Sequence, residues 1–327
     1  MRGTIRVKLK IRPFCFQLRQ PLHTATGVLS ERCGWLLRLE DASGQCGWGE
    51  VSPLDPTQLP ACALTLDKLG ARPLRAELND AIIYCRSELA FGLAAALAEL
   101  DGEIGRSGSA SWLKPPPPAK LLPAAEAMPR ELEQYLGNLT TVWAPGTVFK
   151  WKVAAASEEV EQRLFGWLQK RLPTSARLRL DANGGWNRLQ ADRWLNLVRD
   201  EPRLDWLEQP LPPSDLSGLQ RLARHVPVAL DESLVANPLL RESWRSWQVR
   251  RPSQDGDPRP LLRSLLAGVP RLVLSTAFET GIGRRWLYHL AALQWRGPTP
   301  AAPGLAIDWC PETPLFSTDP QQVWDAL

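Results

Sequence analysis

The residues with most chemistry to offer lie between Phe149 and Pro252, where five apolar segments each end in charged side chains. They read Lys150-Trp151-Lys152, Asp181-Ala182-Asn183, Glu208-Gln209-Pro210, Asp231-Glu232-Ser233 and Arg250-Arg251-Pro252. Asp181, Glu208 and Asp231 are hard oxygen ligands with no cysteine or histidine beside them, a set suited to Mg²⁺ and, second, to Mn²⁺. Crowded carboxylates raise one another's pKa unless a cation holds them apart. A lysine desolvated beside another cation gives up its proton readily, so Lys152 next to Lys150 is suited to general-base work near neutral pH. A base, a divalent ion and an opposing cation make a device for removing a proton next to a carboxylate.

The spacing says what must position them. From Lys152 it is 29 residues to Asp181, then 27 to Glu208, 23 to Asp231 and 20 to Arg251. A strand, a helix and two loops take about that many residues, so the charges recur once per βα unit. Parallel strands wound this way close into a barrel whose chemistry sits at the carboxyl ends of its strands. Any one of these charges alone would read as a helix N-cap. Five in phase, beside apolar runs such as residues 178–180 and 228–230, mark one mouth, because unpaired buried charge is costly. Lys150 and Lys152, two apart, share the inner face of their strand, with Trp151 turned to the helices. Arg179, two residues before Asp181, is a further candidate for a substrate carboxylate, with a structural ion pair as its alternative. Ser275, Thr276 and Glu279 follow the seventh strand and are candidates for substrate contact.

The rest of the chain supplies the scaffold. Residues 5–19 and 34–39 alternate as antiparallel strands, residues 44–53 read as turn, strand and turn, and residues 74–104 as long helices. Gly47 and Gly49 permit close backbone approach. This makes residues 1–105 a separate α+β unit. Residues 106–120, with four prolines from Pro115 to Pro118, read as a rigid connection. The segment Pro21-Leu22-His23-Thr24-Ala25-Thr26-Gly27 reads first as a hairpin connection. The expected barrel, residues 121–297, pairs strands 121–122, 148–153, 178–181, 206–207, 228–230, 248–250 and 272–275 with helices 130–136, 158–172, 189–198, 216–225, 239–247, 261–267 and 284–293. Residues 298–327 are irregular and expected to return toward the first unit. The fold class is therefore α/β, a modified TIM-type (β/α)7β barrel with an α+β capping domain.

The 327 residues carry a net charge of +4 without a long basic block, which leaves no footprint of nucleic-acid binding. The six cysteines hold no CxxC pair and there are three histidines, so zinc and iron–sulfur sites are not expected, and free thiols in a reducing compartment are. No apolar run reaches membrane length and no signal-peptide pattern opens the chain. The expectation is a cytoplasmic protein, monomer or homo-oligomer, acting on a small-molecule carboxylate, with no nucleic-acid or membrane partner. The fifteen tryptophans are expected as core and helix-face anchors.

Lys-x-Lys, Asp-Ala-Asn, Glu-Gln-Pro and Asp-Glu-Ser on successive strands resemble the muconate-lactonizing branch of the enolase superfamily, over nearly the whole chain. Within it, the short chain and Arg179-Leu180-Asp181-Ala182-Asn183 are most similar to the o-succinylbenzoate synthase family, dehydratases of menaquinone or phylloquinone biosynthesis. The resemblance implies that Lys152 takes the α-proton and then helps hydroxide leave from the same face. It also implies that the segment from Pro21 to Gly27 closes over the mouth. One position departs: the family has a lysine before proline at the end of the sixth strand, and here stands Arg251-Pro252. Arginine stays protonated, so two-base racemisation is disfavoured and single-base syn elimination, with Arg251 as the cation, is favoured. Which of Arg250 and Arg251 points inward is open by one residue. The alternatives are an N-acylamino acid racemase or dipeptide epimerase on the same scaffold, and a non-catalytic barrel.

Overall fold

The computed structural model describes residues 5–24, 27–105, 111–137 and 146–327. Three strands, β1 (Lys8–Thr24), β2 (Gly27–Glu40) and β3 (Cys46–Val51), form an antiparallel sheet in that order. Helices α1 (Leu59–Leu69), α2 (Arg75–Tyr84) and α3 (Ser87–Leu100) follow. The Ala-rich α3 is buried almost throughout, and it can approach β3 closely because glycines face it. A Cβ added at Gly47 would meet the Ala96 carbonyl at 1.9 Å, and one at Gly49 the Gly92 carbonyl at 1.9 Å. The sequence pattern missed α1, whose apolar residues bury only at Cys62 and Leu66.

The second body alternates strand and helix. In order come β4 (Lys120–Leu122), α4 (Ala127–Gly137), β5 (Val148–Lys152), α5 (Glu158–Arg171), β6 (Arg177–Asp181), α6 (Arg188–Val198), β7 (Leu204–Glu208) and α7 (Leu216–Leu222). Then come β8 (Val228–Leu230), α8 (Glu232–Ala236), α9 (Leu240–Ser243), β9 (Trp247–Arg250), α10 (Pro252–Asp255), α11 (Pro258–Leu266), β10 (Leu272–Leu274) and α12 (Gly281–Trp295). Within the expected helix at 239–247 only the short α9 forms, preceded by the short α8. All seven strands pair in parallel and in sequence order.

The tail supplies the eighth stave. The Gly304 N–H donates to the Leu274 carbonyl (2.9 Å), the Thr276 N–H to the Gly304 carbonyl (2.8 Å), and the Ala119 N–H to the Pro303 carbonyl (2.9 Å). Residues 303–304 therefore sit between β10 and the start of β4, as a (β/α)7β barrel requires. Beyond them, α13 (Pro320–Asp325) lays Trp324 against Trp48, with ring centroids 5.6 Å apart.

Side chains alternate across the strands as the pleat dictates. Trp151, Leu180 and Leu207 join the core between strands and helices, with Trp194 of α6 stacked on Trp186. Trp206, Ala229, Val249, Val273 and Ala301 form a separate apolar cluster on the inner face. Each of the four strand residues lies two positions before Glu208, Asp231, Arg251 or Ser275, so an apolar layer fills the barrel directly beneath the charged one.

One expectation agrees with the structure and one needs amending. Residues 21–24 continue β1 and pair with β2 up to Thr24 opposite Gly27, as the hairpin reading of this stretch expects. Residues 25–26 lie outside the described residues, as do residues 106–110 of the connection. Cys15 and Cys33, paired across β1 and β2, form a disulfide, while Cys46, Cys62, Cys85 and Cys310 are free. Only four cysteines match the free-thiol expectation, because strand pairing brings the other two face to face.

Candidate active site

The five strand-end motifs converge. Lys150 and Lys152 end β5, whose neighbour β6 places Asp181 opposite Lys152 and Arg179 opposite Lys150. Next along the sheet, Glu208 lies opposite Asp181. Asp231, Arg251 and Ser275 follow the ends of β8, β9 and β10.

The charges are interleaved. Lys150 Nζ lies 2.9 Å from Asp181 Oδ2 and 2.6 Å from Glu208 Oε1, bridging the two carboxylates. Arg251 grips Asp231 with two parallel bonds, Nε to Oδ1 at 3.0 Å and Nη2 to Oδ2 at 2.5 Å. Lys152 is tied less tightly, 3.5 Å from Asp181 Oδ2 and donating at 2.8 Å to the neutral Oδ1 of Asn183. The three carboxylates are 1%, 2% and 3% exposed, so each ion pair acts in a weak dielectric.

The electrostatics follow. Burial alone would raise the Asp181 carboxyl, but Lys150 and Lys152 reverse this and hold it far below the usual carboxylate range. Burial and the charges of Asp181 and Asp231 raise Glu208, with Lys150 opposing. Burial works against the Lys150 ammonium, but Asp181, Glu208 and Asp231 outweigh it and push its pKa above the normal lysine value. These three charges favour the protonated form of Lys150. Arg251 is likewise raised, by Asp231 chiefly, against desolvation.

The open choice at the sixth strand is decided by alternation: Arg250 turns outward to Asp255, its Nε 2.6 Å from Oδ2, and Arg251 turns inward. Arg179 is not presented to the mouth. It is buried one layer below Asp181, donates to Asp205 (3.1 Å) and to the Ala302 carbonyl (2.6 Å), and lies 3.9 Å over the Trp206 ring. The structure gives it the structural ion pair, because its strand position falls in the barrel's packed layer. Thr276 and Glu279 also find protein partners. The Thr276 carbonyl accepts from Arg251 Nη1 (2.5 Å) and its hydroxyl donates to Glu279 (2.7 Å), while Glu279 is 1% exposed with both oxygens accepting protein donors. Ser275, two residues after Val273 of the inner apolar cluster, is 8% exposed.

Three polar residues of the motifs had been given no role. Asn183 bridges Lys152 and Glu232, its Nδ2 donating to Oε1 at 2.9 Å. Burial, with the charges of Asp231 and Asp181, pushes Glu232 up to about 7. Gln209 accepts from the Asp231 and Ser233 N–H groups at 3.1 Å each, tying β7 to the turn after β8. Asn183 and Gln209 both have positive φ, 44° and 37°. The available signal was their place one or two residues after strand-end carboxylates, where a tight left-handed residue aims a polar side chain back at the site.

The donor chemistry fits a divalent hard cation. Three buried carboxylates supply only oxygen, and their charge is balanced here by Lys150 and Arg251. Cations stand between them: among the described residues, the one group of acid, cysteine or histidine side chains with ligand atoms within 4.8 Å of one another is Glu31 with the disulfide-bonded Cys15 and Cys33 on the hairpin. No helix of the described residues is long and apolar enough to cross a membrane.

Residues 140–243 match the enolase C-terminal domain-like family. The o-succinylbenzoate synthase of Photorhabdus laumondii is 30% identical over 63% of this chain and 60% of that protein. The crystal structure of the Thermosynechococcus elongatus o-succinylbenzoate synthase, described as complexed with Mg in the active site, superposes with a TM-score of 0.79 at 31% identity, covering 98% of this chain and 100% of that one. The L-Ala-D/L-Glu epimerase of Bacillus subtilis shares the fold at a TM-score of 0.69 and 20% identity, over 91% of this chain and 89% of that one. The o-succinylbenzoate synthase of Thermosynechococcus vestitus is 35% identical over 95% of this chain and 96% of that protein, and the chain belongs to the o-succinylbenzoate synthase family.

Proposed function

We propose that the protein is a Mg²⁺-dependent dehydratase that converts 2-succinyl-6-hydroxy-2,4-cyclohexadiene-1-carboxylate to o-succinylbenzoate in menaquinone or phylloquinone biosynthesis, in the cytoplasm. The observation that carries this reading is the asymmetry of the mouth: one loosely tied amine, Lys152, on one side and a permanent guanidinium, Arg251, on the other.

Asp181, Glu208 and Asp231 would hold the ion, which supplies positive charge against the charge developing on the substrate carboxylate as its α-proton leaves. Lys152 accepts that proton, and the C–H electron pair enters the ring as the C–O bond breaks. Lys152 then returns the proton to the departing hydroxide on the same face, releasing water and leaving an aromatic ring. Lys150 stays protonated and screens Asp181 from Glu208. Arg251 stays charged and anchored on Asp231, so no second base faces Lys152 and stereoinversion has no proton acceptor on the other side.

Incubation with the cyclohexadiene substrate in deuterated water tests this. Expected are stoichiometric loss of water and aromatic product, abolished by Lys152→Ala. Stereoinversion of an N-acylamino acid or dipeptide with deuterium incorporation, and no dehydration, would establish the epimerase reading instead.

A further inference from the structure

We infer that Glu279 is a positioning residue for Arg251, an inference that rests on the role given to Arg251 above. Its carboxylate gathers the two segments that hold the guanidinium. Oε1 accepts from Ser253 Oγ at 2.6 Å and from the Ala277 N–H at 3.0 Å; Oε2 accepts from Thr276 Oγ1 at 2.7 Å. Ser253 is two residues after Arg251 on the same chain segment, and the Thr276 carbonyl accepts from Arg251 Nη1 at 2.5 Å. The result is a closed ring: guanidinium, Thr276, Glu279, Ser253, and back along the backbone to Arg251.

The three residues that hold the guanidinium are buried, and Arg251 itself is partly so. Ser253, Thr276 and Glu279 are 3%, 5% and 1% exposed. The ring also fixes the strained turn that shapes the carbonyl's aim: the Phe278 N–H donates to Thr276 Oγ1 at 2.8 Å, and Phe278 has φ of 63°. Glu279 is itself backed by the N-terminal sheet. Glu50 of β3 accepts from Thr280 Oγ1 (2.6 Å), the Thr280 N–H and the Gly283 N–H, clamping the first turn of α12. From β3 the path runs by hydrogen bond to Thr280, along the backbone to Glu279, and by hydrogen bonds through Thr276 to the guanidinium. A side chain bound this way orients the catalytic cation and has no free oxygen to offer a substrate.

A double-mutant cycle tests it. Glu279→Gln keeps shape and removes charge; Glu279→Ala removes all three bonds. Expected are kcat losses of roughly 10-fold and 100-fold with KM changed less than about 3-fold, the range typical of residues that orient a site group. In an Arg251→Ala background the same changes should cost less than about 3-fold more, while thermal unfolding shifts by the same amount in both backgrounds. Losses that multiply in the Arg251→Ala background would overturn the inference, as would a rise in KM alone for Glu279→Gln. Should Glu279→Ala fail to fold, Ser253→Ala removes one bond of the ring and must show the same lack of additivity with Arg251→Ala. Full activity of Arg251→Ala would sink the cation's role itself, and full activity of Lys152→Ala would sink the dehydratase mechanism whatever Glu279 does.

Discussion

Lys152 donates through Nζ to Asn183 Oδ1 across 2.8 Å, while Asn183 returns its own Nδ2 to Glu232. The amine is thus aimed by a neutral amide, with the nearest carboxylate oxygen at 3.5 Å. Asn183→Ala should lower kcat about 10- to 100-fold, with the fold intact. Steady-state kinetics and circular dichroism decide it; an unchanged kcat would mean that the amide does not orient the base.

Arg251→Ala should lower turnover by roughly 100-fold or more, because a preorganised cation opposite the base is lost. Arg251→Lys should retain part of the activity, since a point charge survives while the two-pronged grip on Asp231 does not. Equal rates for the wild type and both variants would remove Arg251 from the chemistry.

Lys150→Met removes the cation between Asp181 and Glu208 and leaves two buried carboxylates facing each other. Loss of one partner of a buried ion pair costs about 3–5 kcal/mol. Denaturant unfolding without metal should show that loss, and added Mg²⁺ should recover much of it by ligand linkage. Stability indifferent to Mg²⁺ in both proteins would contradict the metal site.

Glu50 gives a pH signature. Burial first, with the nearby Glu279 charge, raises its carboxyl from 4.5 to about 7, against the Thr280 and Gly283 donors. Between those values the folded state binds the proton that the unfolded state has released, so stability falls as pH rises from about 4.5 to 7 and levels off above. The contribution is at most about 3 kcal/mol. Glu50→Gln should flatten this fall in thermal unfolding between pH 5 and 7, leaving the part due to Glu99 and Glu232, which burial also raises to about 7. An identical slope in the variant would show that Glu50 does not titrate in that window.

Gly49→Ala should destabilise the N-terminal unit by about 1–3 kcal/mol, since its Cβ would fall 1.9 Å from the rigid Gly92 backbone carbonyl. Chemical denaturation measures it, and a neutral result would mean that α3 can retreat from β3.

Sequence alone determined the recurrence of charge once per βα unit and the inward face of Lys150, Lys152, Asp181, Glu208 and Asp231, because strand period and crossover length are local properties of the chain. It also carried Arg251 before Pro252, the position on which the proposed single-base chemistry rests. Tertiary structure decided what those side chains touch. Only packing shows that Arg250 turns to Asp255 and Arg251 to Asp231, that Arg179 belongs to the layer of Trp206, and that Glu279 serves the protein's own loops. The partners lie tens of residues apart: Arg179 meets Ala302, Glu50 meets Thr280, and Cys15 meets Cys33 through strand pairing. A buried polar group must be satisfied somewhere, and which distant group satisfies it is fixed when the barrel closes, a step no local pattern encodes.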